Sequence, residues 1–205
     1  FLSSFNTAAS DVFHPDWIKT NPREPEDGWY VVTVDLAGFE DSAVAGKSGK
    51  RLDNTAISMV KIHGDKQDWW VKTQIRGRWT VERTADQIVN AAREAQVTEV
   101  GIERGIAQQA MGPYLRDAMA RLGYSFTIKL LTHGNRNKVD RIVWGLQGRL
   151  EHGRITFNPG PYLVDLTDEL LQFPSKQTKD DGPDSLSYVD QMVETMPYLD
   201  MDQED

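Results

Sequence analysis

The chain has 205 residues, 39% hydrophobic and 26% charged, enough to bury one sizeable core. Its 23 Lys and Arg stand against 31 Asp and Glu, a net charge of −8, which excludes a protein that binds nucleic acid simply by being basic. The absence of cysteine excludes disulfides, thiolate metal sites and cysteine nucleophiles, so any metal must be held by oxygen or imidazole.

Residues 1–24 are rich in Ser, Asn, Asp and Pro without a sustained period, and read as a linker or the remnant of an upstream domain. The start at Phe1 rather than Met adds the expectation of a fragment. This start lacks the basic and apolar regions of a signal peptide, and no run approaches the roughly 18 apolar residues of a membrane span. An intracellular protein without a membrane partner is expected.

From Trp29 the pattern becomes regular. "WYVVTVD" reads as a strand, followed by a polar loop and two further alternating strands, "AISMVKIH" and "DWWVKTQIRG", which predict an antiparallel meander. Thr80 then precedes a helical stripe of Ala85, Ile88, Val89, Ala92 and Ala95, with Glu82 in the first turn. A fourth strand, "VTEVGIERG", leads to a second apolar stripe ending at Gly123, where Pro113 is expected to break or restart the helix. "SFTIKLLT" is a fifth strand. Val139, Ile142, Val143, Leu146 and Leu150 line a third helix, and Leu163, Leu166 and Leu170 a fourth that stops at Pro174. The stretch "DGPDSLSYVDQMV" predicts one last helix with Pro183 in its first turn, and "DMDQED" is a solvated acidic tail. The order predicts an α/β fold with a central mixed β-sheet of at least five strands, the first three antiparallel, flanked by helices.

Three acidic positions recur at element ends. The apolar strand 29–35 closes on Asp35, and the fourth strand closes on Glu103. If these strands are neighbours, the two carboxylates meet at one edge. Asp180, Asp181 and Asp184 open the last helix, where Asp181 and Asp184 share a face. Singly, each has a plain explanation as a turn former or helix cap. Jointly they would repel and raise each other's pKa unless protons or a cation compensate, and oxygen-only ligands suit Mg²⁺ or Mn²⁺.

Strand-Asp, two more strands, helix, strand-Glu and a late helix opening D-x-x-D resembles the ribonuclease H-like nucleases, Holliday-junction resolvases among them. Within that superfamily, residues 29–193 look most like the C-terminal nuclease domain of the large terminase subunit of tailed bacteriophages. The resemblance rests on "VVTVDLAG", "VGIERG", "GNRNKVDRIVWGLQGRLEHGRITF", which is similar to the family's lysine, arginine and glycine segment before an apolar strand, and "DDGPDSLSY". Leu36 stands where the family often has proline.

The resemblance implies a nuclease domain over residues 25–195, followed by the acidic tail 196–205. It implies Asp35, Glu103, Asp181 and Asp184 as catalytic metal ligands for two Mg²⁺ or Mn²⁺ ions, with Asp180 and Asp53 as further acidic candidates. The expected activity is metal-dependent endonucleolytic cleavage of concatemeric viral DNA during genome packaging, in the cytoplasm of the infected bacterial host. The expected partners are double-stranded DNA, an upstream ATPase motor, the portal and the small terminase subunit. A junction resolvase and a non-catalytic packaging-motor module of the same fold remain open alternatives. Arg76, Arg78, Arg104, Arg136, Lys138 and Arg141 are candidate phosphate contacts. Trp69, Trp70 and Trp79 are candidates for base stacking, although strand alternation favours core packing for at least one of the first two. Residues 41–48 come close to a phosphate-binding loop, but Asp41 replaces its first glycine and no helix pattern follows, so no ATP site is expected.

Overall fold

The computed structural model of the chain describes residues 12–38, 54–132, 137–175 and 179–193. The loop 41–48, Asp53, Arg136 and the tail 196–205 lie outside the described residues.

Seven strands form one sheet: β1 (Lys19–Thr20), β2 (Trp29–Asp35), β3 (Thr55–His63), β4 (Asp68–Gly77), β5 (Glu99–Glu103), β6 (Thr127–Leu131) and β7 (Ile155–Phe157), in the order β1-β7-β4-β3-β2-β5-β6. The meander β2-β3-β4 is antiparallel, as its alternation predicts. The pairs β2-β5, β5-β6, β4-β7 and β1-β7 are parallel. The helices are α1 (Val81–Ala95), α2 (Ile106–Leu122), α3 (Lys138–Glu151), α4 (Tyr162–Gln172), α5 (Asp181–Ser187) and α6 (Val189–Val193).

The sheet separates two cores. On one face α1 and α2 press Ile88, Val89, Met111 and Leu115 onto Val32, Val34, Ile57 and Ile102. On the other, α3 to α6 bring Ile142, Leu146, Leu166, Leu170 and Val189 onto Val31, Val60, Ile62, Trp69 and Val71. Each such fully buried aliphatic side chain contributes about 1.5–3 kcal/mol. Thr80 caps α1 by accepting the Arg83 N–H at 3.3 Å. Trp69 and Trp70 are both buried, which removes them as stacking platforms.

Four expectations change. Residues 12–24 are not a free linker: Phe13 is 2% exposed in the core and Lys19–Thr20 adds an edge strand. Pro113 does not break α2, which runs through it. It lies on the exposed face, where water can satisfy the carbonyl of Gln109 that loses its donor. The single helix expected over 181–193 divides at Tyr188, which is fully buried with the Arg141 guanidinium 4.1 Å from its ring centre. The sheet gains β1 and β7, the second of which only the family resemblance anticipates.

Candidate functional site

Period-two alternation explains how an apolar strand delivers a carboxylate. Val31, Thr33 and Asp35 share one face of β2, while Val32 and Val34 fill the core on the other. That face lies under α5: the Thr33 hydroxyl donates to the Ser185 carbonyl at 2.7 Å, and the Ser185 hydroxyl donates back to the Thr33 carbonyl at 3.2 Å. Asp35 is thereby buried, at 8% exposure, below the first turn of α5.

Strand β5 repeats the arrangement. Val34 is level with Ile102 in the parallel β2-β5 pair, so the next residues, Asp35 and Glu103, end side by side. A side-chain hydrogen bond joins them. Gly101, on the same face as Glu103, admits the neighbouring chain: a Cβ there would lie 2.8 Å from both Leu131 Cδ1 and Met192 Sδ.

The third side is α5. Asp184 is 2% exposed, with Arg141 Nη2 2.5 Å from Oδ1 and Lys138 Nζ 2.8 Å from Oδ2. Lys138 also donates to Asp180 at 2.8 Å. Asp181, 3% exposed, points to another partner set: its Oδ2 accepts the Asn54 N–H at 3.1 Å and lies 3.7 Å from Lys179 Nζ.

The electrostatics follow from this packing. Burial first, then the Asp184 charge, then the hydrogen bond with Glu103 hold the Asp35 carboxyl well above the ordinary range, with Lys138 opposing. For Lys138, burial works against the charge, but Asp184 and Asp180 more than offset it and raise its pKa.

Among the expected site residues, Asp35, Glu103 and Asp184 therefore converge, Asp180 sits behind Lys138, and Asp181 is adjacent but turned toward Asn54 and Lys179. Among the described residues no three acidic or imidazole groups stand close enough to grip one ion as placed. The donor chemistry nevertheless fits a hard divalent ion: Asp35 and Glu103 bring two oxygen donors together, burial and the Asp184 charge disfavour the ionised form of Asp35, and Asp184 already holds the Lys138 ammonium.

The basic candidates divide. Arg76 donates to Glu169 at 2.6 Å and Arg141 to Ser187 at 2.8 Å, both largely buried, so each is engaged within the protein rather than displayed on its surface. Arg78 and Arg104 are exposed where β4 and β5 end, and Lys138 is 41% exposed. Sequence reasoning passed over Glu169. Its signal was a carboxylate three residues after Leu166 and one before Leu170, on the apolar stripe of α4.

No protein-family model matches the chain, and no curated protein matches it in sequence. Solved structures do match in shape. The phage P22 large terminase nuclease domain superposes with a TM-score of 0.60 at 16% identity, covering 89% of this chain and 90% of that one. The large terminase nuclease from thermophilic phage G20c with bound zinc gives 0.55 at 15% identity, with 84% and 92% covered. The human cytomegalovirus terminase nuclease domain, manganese-soaked and inhibitor-bound, gives 0.51 at 10% identity, with 82% and 84% covered. The fold is that of the large terminase nuclease domains, ribonuclease H-like, as the sequence resemblance implied.

Proposed function

We propose that this domain is a two-metal-dependent endonuclease that cuts concatemeric viral DNA during genome packaging. The observation that carries the reading is the meeting of Asp35 and Glu103 at the ends of adjacent parallel strands, beneath a helix that presents Asp184. Supporting it, nuclease domains of the same fold have been solved with zinc, magnesium and manganese.

Asp35 and Glu103 would hold the ions, with Asp184 and Asp181 completing the set. When bound, Mg²⁺ or Mn²⁺ supplies an acidified water and neutralises the leaving oxygen of the phosphodiester. The chain's own task is to aim the ligands and seat the phosphate. Arg141 fixes the Asp184 carboxylate from the core side, and Lys138 holds it from the open side. Arg78 and Arg104 leave their strands at the same edge and offer positive charge to the polymer backbone. An upstream ATPase motor, the portal and the small terminase subunit would deliver the DNA in the infected host's cytoplasm.

The Lys138 ammonium seated against Asp184 favours a second reading, a non-catalytic module in which lysine replaces the metal. The test incubates the domain with linear duplex and with four-way junctions, with and without Mn²⁺. Mn²⁺-dependent cutting of linear duplex supports the packaging nuclease. Preference for junctions points to a resolvase, and no cutting of either substrate leaves the non-catalytic module.

A further inference from the structure

The first turn of α5 is held from behind by residues outside the acidic edge. Glu169, buried on α4, accepts the Arg76 Nη1 donor at 2.6 Å through Oε1 and the Gly182 N–H at 2.9 Å through Oε2. On its other side, the Gly182 carbonyl accepts Gln74 Nε2 at 3.0 Å. The ring closes through Arg76, whose Nε donates to Gln74 Oε1 at 2.7 Å. Gln74 is anchored in turn by donating to Ser58 at 2.9 Å.

Gly182 follows Asp181 directly and precedes Asp184 by two residues, so a grip on both of its peptide groups governs how the two carboxylates leave the helix. The fit leaves no room: a Cβ at residue 182 would lie 1.8 Å from Arg76 Nη2 and 2.6 Å from Gln74 Oε1. Asp180, at the cap position, makes no side-chain cap bond, so Glu169 supplies the acceptor for the open first-turn N–H of Gly182. Capping does not account for the second grip, on the Gly182 carbonyl through Gln74, nor for Arg76 tying Glu169 to Gln74, and Glu169 is buried at a cost that raises its own pKa, with Arg76 opposing. A buried ion pair contributes little net stability against an apolar replacement, but it fixes direction.

We infer that Glu169, Arg76 and Gln74 form a positioning clamp that fixes the first turn of α5 and so sets Asp184 over Asp35, with Asp181 held beside it. This rests on the metal-nuclease reading of the acidic edge. In Glu169→Gln, one of the two donors must face an amide NH₂, and the grip on Gly182 is lost or shared. Pairing it with Arg76→Met frees the oxygen of the introduced amide for the Gly182 N–H. Gln74→Met removes the carbonyl grip without leaving a carboxylate unpaired, and serves if Glu169→Gln does not fold.

The experiment measures Mn²⁺ binding by calorimetry, melting temperature and amide hydrogen exchange at residues 182 and 184. Glu169→Gln is expected to weaken Mn²⁺ binding about tenfold or more, as loss of a group that orients a ligand does, and to speed exchange at Gly182. The double variant should recover Mn²⁺ affinity toward wild type even where its melting temperature does not recover. Wild-type Mn²⁺ affinity and wild-type exchange in Glu169→Gln, or in Gln74→Met, would overturn the clamp. If the wild-type domain binds no Mn²⁺, the nuclease reading fails by itself, and the exchange rates still decide whether Glu169 holds Gly182.

Discussion

One chemical change made at two neighbouring carboxylates should move stability in opposite directions. Asp184→Asn removes the charge between Arg141 and Lys138, leaving a guanidinium that is only 7% exposed without its anion. Breaking a buried ion pair from one side costs about 3–5 kcal/mol. Arg141 keeps the Ser187 hydroxyl at 2.8 Å and the Tyr188 ring at 4.1 Å, while Lys138, 41% exposed, can turn to water. The lower end, about 3 kcal/mol, is therefore expected, a fall in Tm of roughly 6–12 °C for a domain of this size. Asp35→Asn removes a carboxylate disfavoured by burial, by Asp184 and by Glu103, and its amide can donate to Glu103. It should melt at or above the wild-type temperature without metal. Calorimetry of both variants at pH 7 in EDTA, beside Mn²⁺-dependent plasmid cleavage, makes the comparison. Both should lose cleavage, but only Asp184→Asn should lose stability. An Asp184→Asn protein as stable as wild type would refute the assignment of Asp184 as the anchor of the two cations.

The pH dependence carries its own sign. Burial and Asp184 hold the folded Asp35 carboxyl above its ordinary 3.8, so the folded protein keeps a proton that the unfolded chain releases. That contribution is full below about pH 4 and is lost as pH rises through the folded value. In EDTA the stability advantage of Asp35→Asn should accordingly grow from pH 4 upward, and a constant difference in melting temperature would contradict it. Pro113→Ala restores a helix donor on an exposed face and should add up to about 3 kcal/mol of stability, less the added freedom of the unfolded chain, with cleavage unchanged. A lowered melting temperature would show that Pro113 serves the fold. Cleavage should fall steeply with NaCl and fall further in an Arg104→Ala, Lys138→Ala double variant, because a chain of charge −8 meets DNA through few cations. Salt-insensitive cutting would place the DNA on another face.

The parts of this fold that are local in their physics could be read from the sequence. Residues 29–35 read as an apolar strand that closes on Asp35, and the N-cap at Thr80 marked the start of α1. The pairing of Asp35 with Glu103 needed one further step, that β2 and β5 are neighbours, which the family resemblance supplied. Strands of two and three residues, Lys19–Thr20 and Ile155–Phe157, carry no period of their own and exist only through their neighbours. The destinations of the arginines were equally hidden. Arg76 and Arg141 look like any surface cation in one dimension, and only the fold brings Glu169 and Asp184 against them. For the same reason the acidic helix read as one ligand pair, whereas Asp181 and Asp184 face different partners.

A crystal structure of the domain soaked in Mn²⁺, with anomalous scattering to locate the ions, tests the central claim most directly. The account predicts density between the Asp35 and Glu103 carboxylates, with Asp184 turned toward it and the Lys138 ammonium drawn away from its 2.8 Å contact. Saturating Mn²⁺ with no anomalous peak at Asp35, and Lys138 still seated on Asp184, would contradict it.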